Sequence, residues 1–112
     1  MVHTVVETPE YLAAAKQAKM TADERDWVVR YVAANPDAGA IIPDTGGARK
    51  VRVPKEDQGK SGGYRLVTYY LDRDTPVFLL TVLDKSKKAN LSHGEKKATK
   101  RAAKSEKKQR RQ

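Results

Sequence analysis

Val77-Phe-Leu-Leu-Thr-Val-Leu83 is the stretch that decides the fold. Extended, it is apolar on both faces, which predicts a strand with neighbours on either side. Working outward, Gly63-Tyr-Arg-Leu-Val-Thr-Tyr-Tyr-Leu71 is rich in aromatic and β-branched residues and reads as a second strand. Arg49-Lys-Val-Arg-Val53 alternates basic and apolar side chains, the pattern of a half-buried strand. The segments between them, 54–62 and 72–76, are polar and carry proline or glycine, as turns do.

Upstream the period changes. Residues 3–7 suggest a short first strand. Thr8 can cap a helix with Pro9 at its first position, and an alanine-rich helix to about Lys19 follows. Thr21-Ala-Asp-Glu24 is a capping box. Behind it, Trp27, Val28, Tyr31 and Val32 form an apolar stripe on a second helix, which Asn35-Pro36 stops. Residues 36–47 read as a connector. The order β-α-α-β-β-β predicts an α+β domain, with two N-terminal helices packed on a small antiparallel sheet.

At 112 residues the chain is one domain with one modest core. We place that domain at 1–91 and a basic C-terminal helix or tail at 92–112. Ser92-His-Gly-Glu95 could cap this helix, but Ala98, Ala102 and Ala103 give it little apolar surface for docking. The net charge of +9 is uneven: residues 1–84 carry 11 Lys/Arg against 12 Asp/Glu, and residues 85–112 carry 12 against 2. Such a tail suits phosphate-rich partners, and equally a solvated extension.

Some classes are disfavoured. There is no cysteine for disulfides, thiolate metal sites or thiol nucleophiles. His3 and His93 have no ligand spacing, and neither has the context of a triad base. Gly59-Lys-Ser-Gly-Gly63 borrows the letters of a phosphate loop without its spacing. No apolar run approaches the ~20 residues of a membrane span. The expectation is a soluble cytoplasmic protein with no metal, no cofactor and no membrane partner.

What remains is cationic. Lys50 and Arg52 share one face of their strand, Lys60 sits in a glycine-rich turn, Arg65 opens the next strand, and Lys85 follows the last. If these strands are neighbours, all five can meet at one rim of the sheet. Arginine forks onto two phosphate oxygens, and lysine is a compact charge whose pKa falls among other cations. Ordinary solvated charges on a half-exposed sheet would give the same pattern.

Gly46-Gly-Ala-Arg-Lys-Val-Arg-Val53, Gly59-Lys-Ser-Gly-Gly-Tyr-Arg-Leu-Val67, Tyr69-Tyr70, Leu79-Leu-Thr-Val-Leu-Asp-Lys85 and Asn90-Leu91 follow in that order. Asn35-Pro-Asp-Ala-Gly39 and a Pro43-Asp-Thr-Gly-Gly47 turn precede them. Together, over roughly residues 5–100, they resemble HigB-like toxins of the RelE/ParE superfamily, the toxin halves of type II toxin–antitoxin pairs. The resemblance implies a microbial RNase fold and cleavage of mRNA in the ribosomal A site. The 2′-hydroxyl attacks the adjacent phosphate without a metal ion.

It further implies catalytic roles for Lys50 and Arg52, one of them a candidate base, for Arg65 on the transition-state phosphate, and for Lys85 near the leaving group. Arg49, Lys60, Lys87 and Lys88 would contact RNA, with Gly62-Gly63 letting its backbone approach Arg65. The implied partners are mRNA, ribosomal RNA and an antitoxin, a helix-turn-helix protein encoded alongside. The sequence departs from these relatives at Leu83 and Leu91, where they carry tyrosine, and at Asp44, where glycine is usual. Two alternatives stay open: a non-catalytic RNA-binding protein, and a ParE-like poison of gyrase.

Overall fold

A computed structural model describes residues 3–54, 63–84 and 99–104. The elements are β1 (Val5–Glu7), α1 (Pro9–Gln17), α2 (Ala22–Ala34), β2 (Ala40–Ile41), β3 (Arg49–Val53), β4 (Tyr64–Tyr69) and β5 (Val77–Asp84). They form a five-stranded sheet in the order β1-β5-β4-β3-β2, with two N-terminal helices.

Both helix starts follow from their caps. Thr8 accepts a hydrogen bond from the Tyr11 amide at 3.1 Å and donates one to the Leu79 carbonyl at 2.6 Å, fastening the start of α1 to β5. The capping box of α2 is complete: Thr21 accepts from the Glu24 amide at 3.0 Å, and Glu24 accepts from the Thr21 amide at 2.8 Å. Helix α1 ends in a left-handed turn, with Lys19 at φ 60°.

Four features differ from the sequence-based expectations. The sheet is mixed, because β1 pairs parallel with β5, while the other three pairings are antiparallel. The 36–47 connector contains β2, an exposed two-residue edge strand on β3. The predicted four-residue stripe of α2 divides: Val28 and Val32 are buried, while Trp27 and Tyr31 stay exposed, stacked at 4.9 Å with planes 6° apart. Adjacent helical residues point about 100° apart, so only one of the two columns can face the sheet.

Finally, each face of the sheet has its own buried cluster. On the helix side, Tyr11, Val28 and Val32 meet Val51, Val53, Leu66, Leu79 and Val82. On the other side, Ile42, Ala48, Val67, Tyr69, Phe78 and Leu80 are joined by Ala103, with Ala102 packed alongside. Residues 99–104 are helical. Alanines suffice to seat them because the sheet surface beneath already supplies the large side chains.

Asp44 adopts φ 64°, in the left-handed region where a side chain is strained and glycine is not. Glycine would hold this turn without that strain. The turn is held by Thr45, fully buried, which donates to the Ile42 carbonyl at 2.6 Å. The Ile42 amide donates to the Ala48 carbonyl at 2.8 Å and closes the loop that delivers the chain into β3.

Candidate functional site: a cationic pocket

Strand register builds the site. In the β3–β4 pair, Arg52 lies opposite Arg65, Lys50 opposite Val67, and Val51 opposite Leu66. Val51 and Leu66 belong to the helix-side cluster. By the period of two, Lys50, Arg52 and Arg65 therefore leave the sheet on the opposite face. There they line an open pocket of about 150 Å³ together with Ala40 and Val51. Arg52 is exposed, and Lys50 and Arg65 are half-buried. The volume is well below the roughly 300–1,000 Å³ of small-molecule clefts. It suits a phosphate of a chain passing over the surface better than an enclosed metabolite.

Three of the predicted site residues thus come together: Lys50, Arg52 and Arg65. Arg49 does not join them. It occupies the other pleat of β3, and its guanidinium donates to the Gly39 carbonyl at 3.2 Å. Lys60, Lys85, Lys87 and Lys88 lie outside the described residues. Leu83 stands opposite Arg65 in β5 and so faces the pocket side of the sheet. Gly62 is likewise outside the described residues. Gly63 has a reason of its own that does not involve RNA: a Cβ there would stand 2.6 Å from the Val53 carbonyl oxygen, so it permits close approach of β4 to β3.

One supporting contact went unread in the sequence. The Tyr64 hydroxyl donates to Glu24 at 3.0 Å, on the oxygen that also receives the Thr21 amide. The cap of α2 is thereby bonded to the residue preceding Arg65. A capping glutamate with a spare lone pair is the only sequence signal of this contact, and the pattern does not say which element supplies the donor.

On the helix side, Arg25 pairs with Glu7 at 2.9 Å, and this bond raises the guanidinium pKa further. Fully buried Tyr11 lies close by, and among the described residues its hydroxyl makes no well-formed hydrogen bond, meeting only the nearby Arg25 guanidinium. Burial, and after it the Glu7 carboxylate, pushes the Tyr11 pKa up to about 12 against the opposing pull of Arg25. This group is enclosed in the core, on the face away from the pocket. Among the described residues, no three His, Asp or Glu side chains gather as a metal site would require, and no helix is long and apolar enough to cross a membrane.

The site is thus a group of three cations gathered toward the β2 edge of the sheet in a small α+β domain. The family model described as "RelE toxin of RelE / RelB toxin-antitoxin system" matches residues 15–112. The chain belongs to this RelE toxin family, and a cognate antitoxin is the partner that membership implies. Among solved structures, an arginine-to-alanine double mutant of the E. coli toxin RelE in its free state shares the fold. The TM-score is 0.54 at 20% identity, over 79% of this chain and 88% of that one.

Proposed function

We propose that this toxin is a metal-independent endoribonuclease of the HigB-like branch, cutting mRNA on the translating ribosome. The observation that carries the proposal is the convergence of Lys50, Arg52 and Arg65 on one pocket. A bond forms between the 2′-oxygen and the adjacent phosphorus, and the bond from phosphorus to the 5′-oxygen breaks. The 2′-hydroxyl proton passes to a base, for which Lys50 is the candidate because a guanidinium stays protonated, and a proton is returned to the leaving 5′-oxygen near Lys85. Arg65 neutralises charge that grows on the phosphoryl oxygens, so it stabilises the transition state more than the ground state. Lys60, Lys87 and Lys88 are proposed to hold the RNA backbone.

The test has two arms. Induction of this chain alone should arrest growth, and co-expression of the adjacent antitoxin should restore it. Purified protein should cut ribosome-bound mRNA, leaving a 2′,3′-cyclic phosphate, and EDTA should leave the rate unchanged. Binding without cleavage would identify a non-catalytic RNA-binding protein. Intact mRNA together with inhibited gyrase would identify the ParE-like activity.

A further inference from the structure

Gly39 carries no charge and does not line the pocket, yet it is placed to control the pocket's geometry. We propose that it is a positioning residue for Lys50, an inference that rests on the reading of the pocket given above. Gly39 adopts φ +90°, which only glycine holds without strain. Its Cα is pressed against the β3 backbone. A Cβ there would overlap the Lys50 carbonyl oxygen and stand 2.8 Å from the carbonyl carbon and 2.9 Å from Val51 Cγ2.

None of these atoms can give way cheaply. Lys50 is paired on both sides, with Ala40 in β2 and Val67 in β4, and Val51 is buried in the helix-side cluster. The Gly39 carbonyl is held in turn by the Arg49 guanidinium at 3.2 Å, and the next residue, Ala40, forms a wall of the pocket. Residues 39, 40 and 49 therefore clamp the peptide from which the Lys50 side chain departs. In this account Arg49 is a brace and not an RNA ligand. A side chain at position 39 must move either Lys50 or the Ala40 wall. A shift of about 1 Å in a reacting group can cost on the order of 10²-fold in rate.

Gly46 provides the control. It also has a positive φ, +78°, but the nearest atom to a Cβ there is Lys100 Cγ at 3.7 Å. Gly39→Ala and Gly46→Ala both take on backbone strain, and only the first collides with β3. Single-turnover cleavage of ribosome-bound mRNA, ribosome affinity and melting temperature are measured for both variants, with rates taken well below either melt. Gly39→Ala should lose about 10–100-fold in rate, with affinity held within about 3-fold. Gly46→Ala should cleave as the wild type does, even if it melts lower.

Wild-type rates in Gly39→Ala overturn the inference. An equal loss in Gly46→Ala also overturns it, since rate would then follow strain alone. Should Gly39→Ala fail to fold, Arg49→Ala takes its place, because it removes only the exposed bond to the Gly39 carbonyl. It should slow cleavage several-fold with an unchanged salt slope of ribosome binding. An unchanged rate, or a slope reduced by about one phosphate contact, would make Arg49 an RNA ligand and overturn the brace. A wild type that leaves mRNA intact sinks the proposed function and this inference together. An active wild type with an equally active Gly39→Ala sinks the inference alone.

Discussion

Arg52 and Arg65 stand directly opposite each other on neighbouring strands, with Lys50 two residues away on the same face. Like charges directly opposed in a sheet are destabilising, by a few tenths to about 1 kcal/mol. Coulomb's law agrees: two unit charges about 6 Å apart in water repel by about 0.7 kcal/mol. Arg65 also engages other groups, so the more exposed Arg52 is the residue to replace. Threonine suits a strand and keeps its shape. Arg52→Thr should therefore stabilise the fold by about 0.5 kcal/mol at low salt, a rise of about 2–4 °C in Tm. The gain should vanish toward 1 M salt, where the screening length is about 3 Å.

The same variant should lose about 10²-fold or more in single-turnover cleavage, if Arg52 acts on the phosphate or on its attacking oxygen. Thermal melts at 20 mM and 1 M salt, beside the cleavage assay, test both halves. A lower Tm that ignores salt would refute the reasoning, because Arg52 would then be holding the sheet together. A higher Tm with an unchanged rate would leave the repulsion intact and remove Arg52 from the chemistry.

Arg65→Ala should slow cleavage by about 10²–10³-fold, with much smaller loss of ribosome binding; Arg65→Lys should recover only part of it, because an ammonium cannot fork onto two oxygens, and equal single-turnover rates would make Arg65 a bystander. Tyr11→Phe removes a buried hydroxyl with no well-formed hydrogen bond among the described residues, so at neutral pH Tm should hold or rise. The Tyr11 pKa is raised in the fold from 10 to about 12, so the fold loses stability as pH climbs through that window, by about 2–3 kcal/mol in all; denaturant titrations at pH 9 and 12 should show the phenylalanine variant spared that part of the loss. Asp44→Gly should relieve the left-handed strain and add about 0.5–1 kcal/mol with cleavage unchanged, and a lower Tm would mean that the aspartate side chain holds the turn.

The three long strands were legible because each carries its environment in its pattern. Val77–Leu83 is apolar on both faces and is flanked on both sides, while Arg49–Val53 alternates and has one buried and one open face. The helix starts were legible because caps are local chemistry. Strand β2 was not. Ala40 and Ile41 are both exposed, and what holds them is a glycine's approach to Lys50 and an arginine's bond to Gly39, two contacts with no periodicity. The parallel partner of β1 is set by where α1 and α2 return the chain, which no three-residue pattern can encode. Arg49 is the instructive case. Alternation alone puts it on the pleat opposite Lys50 and Arg52, but the arginine–lysine motif reads all three as one basic group.

The placement of the cations follows from how the two faces are filled. Helices α1 and α2 supply large side chains to one face, so a charge beneath them would be buried, and Arg49 on that pleat instead reaches the Gly39 carbonyl at the β2 edge. Among the described residues, the other face receives small side chains, Ala102 and Ala103, over Val67, Tyr69, Phe78 and Leu80, with Ile42 and Ala48 alongside. Toward the β2 edge, nothing described lies over Lys50, Arg52 and Arg65 except the pocket they line. The Arg52–Arg65 register opposes the crowding of three cations at that edge. A binding surface for phosphate gives a reason to keep them, since a polyanion laid along the edge turns the repulsion into attraction. The stability released by Arg52→Thr should therefore shrink when ribosomes or mRNA are bound, and melts of the complex, in which wild type gains more than the variant, would show it.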